Sequence, residues 1–240
     1  MKYLFLILLC LSCSSKSWRD ASRESTGIAP LASELNEDIV QIYYARSFSW
    51  RGYFGVHPWI SFKEKEADQY SVAQVTSWNI RREGKAISYQ KDLPDRLWYD
   101  SYPTVIFEAR GEKAKIIIKK VKELIKTYPF NDRYTVYPGP NSNTFVSYII
   151  RNIDEIDCEL PPHAIGKDYF GATTFASNTP SNTGFTLSAF GLLGLTVGAY
   201  EGVELNILGL NFGIDFYYPA LKLPIIGRLG VSDSVLERSN

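Results

Sequence analysis

"YPGPNSNTFVSYIIRNID", residues 137–154, is the stretch on which the reading of this chain turns. Its first half sets Pro138 and Pro140 around a glycine, the punctuation of a loop. Its second half spaces Phe145, Val146, Ile149 and Ile150 so that they form one apolar stripe of a helix, expected to end near Asp154. Asn141 and Ser142 stand at the junction, and both residue types cap helix N-termini well. A hydroxyl at that position has a second reading. The free N–H groups and the dipole of a helix start favour developing negative charge, so Ser142 is also a candidate nucleophile or binding group. The residues alone leave both readings open.

Upstream, "GEKAKIIIKKVKELIKTYP" (residues 111–129) carries the clearest helical period, with Ala114, Ile117, Ile118, Val121, Leu124 and Ile125 on one face and lysines on the other. Pro129 stops it. "DIVQIYYARS" (residues 38–47) reads as a strand. A hairpin is expected next, with arms at residues 53–62 and 70–78 and a solvated turn "KEKEADQ" between them. "ELPPHAIGKDYFG" (residues 159–171) reads as a loop, its Gly166-Lys167-Asp168 as a salt-bridged turn. Residues 184–230 are apolar, glycine-rich and almost free of charge. Glycine recurs too often for a membrane helix, and Glu201, Glu204 and Asp215 interrupt the run, so strands are expected: a hairpin whose arms are "GLLGLTVG" and "ILGLNFGID" around residues 200–202.

The bulk numbers exclude some functions. The 240 residues carry 26 basic and 26 acidic side chains, which argues against a polyanion binder and so against nucleic acid. Two histidines without ligand spacing and no cysteine cluster make no zinc site, and nothing in the chain implies a metal or another cofactor. "GLLGLTVG" lacks the Lys-Ser/Thr ending of a phosphate loop.

The N-terminus, "MKYLFLILLCLSCSSKS", is a targeting segment whose apolar run, residues 3–11, is much shorter than the roughly 20 residues of a membrane span. Ser12-Cys13 resembles the bacterial lipoprotein cleavage box. That resemblance implies removal of residues 1–12, lipid on Cys13, and a periplasm-facing protein anchored to a bacterial membrane. Ser14 points to the outer rather than the inner membrane. An ordinary secretory signal and an uncleaved anchor are the alternatives. With Cys10 removed and Cys13 acylated, Cys158 is the remaining thiol, so the monomer has no disulfide framework. Residues 13–37 then read as a lipidated tether, 38–170 as the main domain and 171–240 as a β extension packed on it.

Histidines able to act as a base are scarce. His57 lies in an expected strand, 85 residues before Ser142, and an imidazole there could take the proton of a nucleophile at the helix start. Cys158 with His163 is a rival pair. "PGPNSNTFVSYIIR" resembles the nucleophile helix of the circularly permuted papain-like hydrolases, which include cell-wall amidase relatives and lecithin:retinol acyltransferase-like enzymes. Their strand histidine precedes an Asn-Cys pair and an anchoring Phe, and the matching positions are His57, Asn141, Ser142 and Phe145. The segments "RGYFGVHPW", "YPGPNSNTF", "PPHAIGKDYFG", "GFTLSAFGLLGL", "GVELNILGLNFGID" and "PALKLPIIGRLG", spread over roughly residues 50–230, are similar to an uncharacterised bacterial lipoprotein family, domain of unknown function 3750.

The resemblance implies an α+β fold, a permuted papain-like antiparallel sheet with packed helices and a C-terminal glycine-rich β-hairpin. It implies Ser142 as nucleophile, His57 as base, Gln74 on the next strand as its orienter, and Asn141 and Asn143 as binding groups. The substrate would be an amide or acyl bond in a peptidoglycan peptide or a lipid. The departure is serine in place of cysteine, since a hydroxyl needs a better-placed base than a thiol. Three readings follow: a hydrolase or acyltransferase, a non-catalytic peptide- or lipid-binding lipoprotein, and a structural lipoprotein docked on a membrane.

Overall fold

A computed structural model of the chain describes residues 17–232. The expected targeting segment and Cys13 lie outside them. The fold is α+β, with two antiparallel sheets and three α-helices.

The first sheet has five strands: β1 (Ile39–Arg46), β2 (Val56–Lys63), β3 (Ser71–Val75), β4 (Ile87–Lys91) and β5 (Thr104–Arg110), in the order β4-β3-β2-β1-β5. Helix α1 (Ser77–Glu83) joins β3 to β4. Helices α2 (Gly111–Thr127) and α3 (Ser142–Arg151) pack on one face of the sheet. Side chains alternate along a strand, so β1, β2 and β3 each feed two cores. Val40, Ile42, Val56, Ile60, Ala73 and Val75 face the helices and meet Ile117, Val121, Phe145 and Ile149. Tyr43, Ala45, Trp59 and Val72 face the other way and meet Trp98.

That second face is covered by chain rather than helix. Trp59 Nε1 donates to the Pro94 carbonyl at 2.7 Å. The buried Asp95 carboxylate accepts from Ser25 Oγ (2.8 Å), Ile28 N (2.7 Å) and Ala29 N (3.2 Å). The expected tether is therefore, over its described part, a strap bound along the sheet. The expected hairpin is also corrected in detail. A 3-10 helix (Ser49–Tyr53) delays the first arm to Val56, and the second arm ends at Val75 because the chain enters α1, seven residues being too few to show a helical period.

The expected C-terminal hairpin is a seven-stranded meander. Strands β6 (Ala176–Asn178), β7 (Phe185–Ala189), β8 (Leu193–Gly198), β9 (Gly202–Ile207), β10 (Leu210–Asp215), β11 (Ala220–Leu223) and β12 (Gly227–Gly230) pair in chain order. "ILGLNFGID" is not one arm: a tight turn at Leu208-Gly209 splits it between β9 and β10. The alternation is the reverse of a soluble sheet. In β9, Glu204 and Asn206 are buried while Val203, Leu205 and Ile207 are exposed.

The polar side faces the rest of the protein. Lys167 Nζ donates to Glu204 Oε2 at 2.6 Å, Lys222 Nζ donates to Glu204 Oε1 at 2.8 Å, and Lys222 also bonds Glu159. Burial alone would raise the Glu204 carboxyl, but the two ammonium groups outweigh it and hold it down at about 2. Arg151 pairs with Asp168 at 2.9 Å, and Arg228 with Asp215 at 2.7 Å, at the margins of the same layer. Among the described residues no helix is long and apolar enough to cross a membrane.

Glu204→Gln removes the shared anion from between two buried cations. It should cost about 3 kcal/mol or more in denaturant unfolding, because an unpaired buried charge is far costlier than a missing pair. A loss below about 1 kcal/mol would mean the cluster is solvated.

Candidate functional site

The cap of α3 is Asn141, not Ser142. Asn141 Oδ1 accepts from Asn143 N (2.9 Å) and Thr144 N (3.2 Å), and Thr144 Oγ1 accepts from Asn141 N at 3.1 Å, a reciprocal capping box. The Asn141 amide also donates to the carbonyls of Val136 and Ile165, both at 3.0 Å. Asn143 Nδ2 donates to the Ile165 carbonyl at 2.8 Å, and Thr144 Oγ1 to the Gly166 carbonyl at 2.9 Å. The helix start thus clamps the loop at residues 160–168. Gly166 permits the approach: its φ is +95°, and a Cβ there would lie 2.7 Å from Asn141 Nδ2.

Ser142 is the first residue of the helix. It is buried, and its hydroxyl makes no hydrogen bond with another described side chain or carbonyl. The expected Asn141 and Asn143 are both at this terminus, engaged with the loop, although Asn143 Oδ1 is buried without a partner.

His57 and Gln74 do come together. His57 Nε2 lies 2.9 Å from Gln74 Oε1, and since an amide oxygen only accepts, the proton of this bond is on Nε2. The ring lies flat on Trp98, with centroids 3.7 Å apart and planes 4° from parallel. Burial, reinforced by Arg96 and only partly offset by Gln74, lowers the imidazole to about 3.

The expected juxtaposition of Ser142 and His57 is not formed. Val56 and Ile60 of β2 face α3, so His57 and Trp59, of opposite parity, face away from it. The sheet itself separates the two side chains.

The imidazole on the helix side is His163. It sits in the clamped loop, edge-on to Tyr44 with centroids 6.0 Å apart, and Tyr44 packs on the helix-side core. Both its ring nitrogens are buried without a hydrogen-bond partner. Burial, with Arg46 adding to it, lowers it to about 4. The two prolines before it in "PPH" were the available signal that this ring is held by a stiff loop rather than displayed in solvent. Cys158 is half-buried at the edge of the same core. Lys167 and Asp168 do stand in a salt-bridged turn, paired at 3.8 Å, and that turn is buried in the ion cluster. Among the described residues no three His, Cys, Asp or Glu side chains are arranged to hold a metal ion.

Two open clefts, of about 470 and 430 Å³, are lined elsewhere. The first lies between Arg46, Tyr53, Ser101 and Ile225, and the second under the strap by Tyr70 and Asp95.

An antiparallel sheet with a capped helix on one face and a sealed histidine on the other defines this domain. The chain matches the family described as "Protein of unknown function (DUF3750)" over residues 37–169, more than half of its length, and it belongs to that family. The matched region runs from β1 through the clamped loop, and the seven-stranded sheet follows it. Neither a curated protein nor a solved structure matches the chain.

Asn141→Ala should cost at least about 1–2 kcal/mol, the usual loss of a cap, whereas Ser142→Ala should change stability by less than about 0.5 kcal/mol. Urea unfolding of the two variants compares them directly. Stability should also fall with acid. Both histidines have folded values below the ordinary 6.5, so the unfolded chain binds more protons, and stability present above pH 6.5 is lost as pH falls towards 4 and then 3. Each contributes a slope of about 1.4 kcal/mol per pH unit. His163→Phe should therefore halve the slope between pH 6.5 and about 4.5, above the range in which Glu204 protonates.

Proposed function

We propose that this chain is a lipid-anchored protein of the bacterial cell envelope whose papain-like frame is non-catalytic, so that it works by holding and docking rather than by turnover. Cys13 would carry the lipid and the domain would face the periplasm, on the outer membrane if Ser14 acts as the sorting residue.

The separation of Ser142 from His57 by the thickness of the sheet carries this reading. A serine nucleophile needs a base within hydrogen-bond reach throughout the reaction. His57 has one nitrogen bonded to Gln74, one face closed by Trp98, and a basicity far below that of a working base. The likeness to papain-like hydrolases then lies in the order of the parts: a strand histidine, a strand glutamine that orients it, and a later helix that begins at Asn141-Ser142. A dyad able to cut an amide or acyl bond of a peptidoglycan peptide or lipid is not assembled from those parts. The Asn141–Thr144 terminus, on this reading, is a structural clamp for the loop beneath the second sheet.

Two measurements test the two halves of the proposal. A fluorophosphonate probe should leave the protein unlabelled from neutral to alkaline pH, and labelling that vanishes in Ser142→Ala would overturn the non-catalytic reading. Radiolabelled palmitate should enter the wild-type chain in a bacterial host and fail to enter Cys13→Ala. Equal labelling, or none in either, would remove the anchor.

A further inference from the structure

Among the described residues, the outward face of the seven-stranded sheet carries no charged side chain. Leu187, Leu195, Val203, Leu205, Phe212 and Ile214 project from it, each more than one-third exposed. Monomeric proteins rarely expose contiguous apolar patches beyond a few hundred Å², and larger ones mark interaction sites. Single exposed leucines would need no explanation; a whole face from β7 to β12 does.

The hairpin tips point the same way. The turns β7–β8, β9–β10 and β11–β12 all fall at one end of the meander, and their tips are Phe190, Leu208 and Ile225. These three have φ of 56°, 53° and 70°, a left-handed conformation that favours Gly, Asn or Asp and is a genuine outlier for a β-branched residue. Each side chain is nevertheless 43–61% exposed. The backbone at two tips is tied down, since Tyr137 Oη donates to the Leu208 carbonyl (3.0 Å) and Arg46 Nη2 to the Ile225 carbonyl (2.7 Å). Large apolar groups are thus held outward at positions where a small polar residue would cost less, the kind of local strain that collects at working surfaces.

We infer that this face and its three tips dock on the lipid bilayer. The inference takes one premise from the anchored reading above, the nearness of a bilayer. Cys13 is five residues from Trp18, a span of at most about 18 Å. The first described residues lie at the tip end of the sheet. Ser22 N donates to Asp100 Oδ1 at 2.9 Å, Arg23 stacks on Tyr99 at 4.5 Å, and Ser101 lines the same cleft as Tyr53 and Ile225. A lipid on Cys13 would bring exactly this edge to the membrane surface. Exposed Trp18, Trp50 and Tyr53 stand there with Arg19 and Arg51, the aromatic and cationic pairing of membrane interfaces.

Strand length sets the depth. Strands of three to six residues are too short for a bilayer, which takes 9–11 per strand, and β6 and β12 are edges with no further strand partner among the described residues, which hydrocarbon does not tolerate. The sheet therefore lies on one leaflet, its side chains entering the interface while the ion cluster stays on the protein side.

Hydroxyl-radical footprinting of the full chain, with and without vesicles of phosphatidylethanolamine and phosphatidylglycerol, tests this at single side chains. Oxidation of Leu205, Leu208 and Phe212 should fall severalfold on vesicles, while exposed Tyr89 on β4, at the far edge of the first sheet, stays unchanged. The variant Phe190→Asn/Leu208→Asn/Ile225→Asn suits the left-handed backbone, so it should melt no lower than the parent and yet lose the protection of Leu205 and Phe212. Equal oxidation with and without vesicles would overturn the inference, as would protection that appears without lipid and grows with protein concentration, the mark of a second copy on the face. Repeating the assay with Cys13→Ala separates the two proposals: retained protection at higher vesicle concentration upholds the docking face even if the anchor fails.

Discussion

The architecture hangs on a small set of buried charges. Glu204 from β9 is shared by Lys167 from the clamped loop and Lys222 from β11, and Lys222 reaches on to Glu159. Ions in such a place are tolerable only as a closed set, since each alone would carry a desolvation penalty of several kcal/mol. The set has a geometric consequence. Successive side chains on a strand point to opposite faces, so a sheet that turns Glu204, Asn206, Asp215 and Lys222 inward must turn Leu205, Ile207, Ile214 and Leu221 outward. The apolar outer face and the ionic inner layer are one pattern seen from two sides.

The loop at residues 160–168 joins that layer to the first domain. Its Ile165 and Gly166 carbonyls are gripped by Asn141, Asn143 and Thr144 at the start of α3, while its Lys167 supplies one cation of the cluster. Helix α3 is itself fixed by Phe145, Val146, Ile149 and Ile150 against β2 and β3. Core packing, helix cap, loop and second sheet are therefore linked in series. Asn141, Asn143 and Thr144, which flank Ser142 at the helix start, are occupied in holding this joint.

The sheet also explains why a histidine and a serine of promising chemistry remain apart. Parity along β2 groups His57 with Trp59 and opposes both to Val56 and Ile60. Gln74 lies on the His57 side of β3, and its hydrogen bond to that ring was put forward by the papain-like resemblance rather than by spacing. Which of the two faces receives α3 was not, because both faces of this sheet are buried, one under helices and the other under the strap and Trp98. A sequence with two apolar faces gives no signal for which one a later helix will cover.

The sequence by itself determined the local elements: the amphipathic run of α2, the loop-to-helix junction at Pro140-Asn141, the first strand, and the β character of the glycine-rich end. Each rests on a period or a cap that neighbouring residues carry. Tertiary structure decided the rest, beginning with the hand of the alternation in "GVELNI". A period of two says that Val203 and Glu204 part company but not which goes inward, and the usual rule of apolar residues inside would have chosen wrongly. Lys167, Glu159 and Lys222, 18 to 45 residues away along the chain, make the polar side the inner one. Pairing at that separation leaves no trace in a local window, which is why the orientation of the second sheet, and with it the surface this protein presents, had to come from the fold.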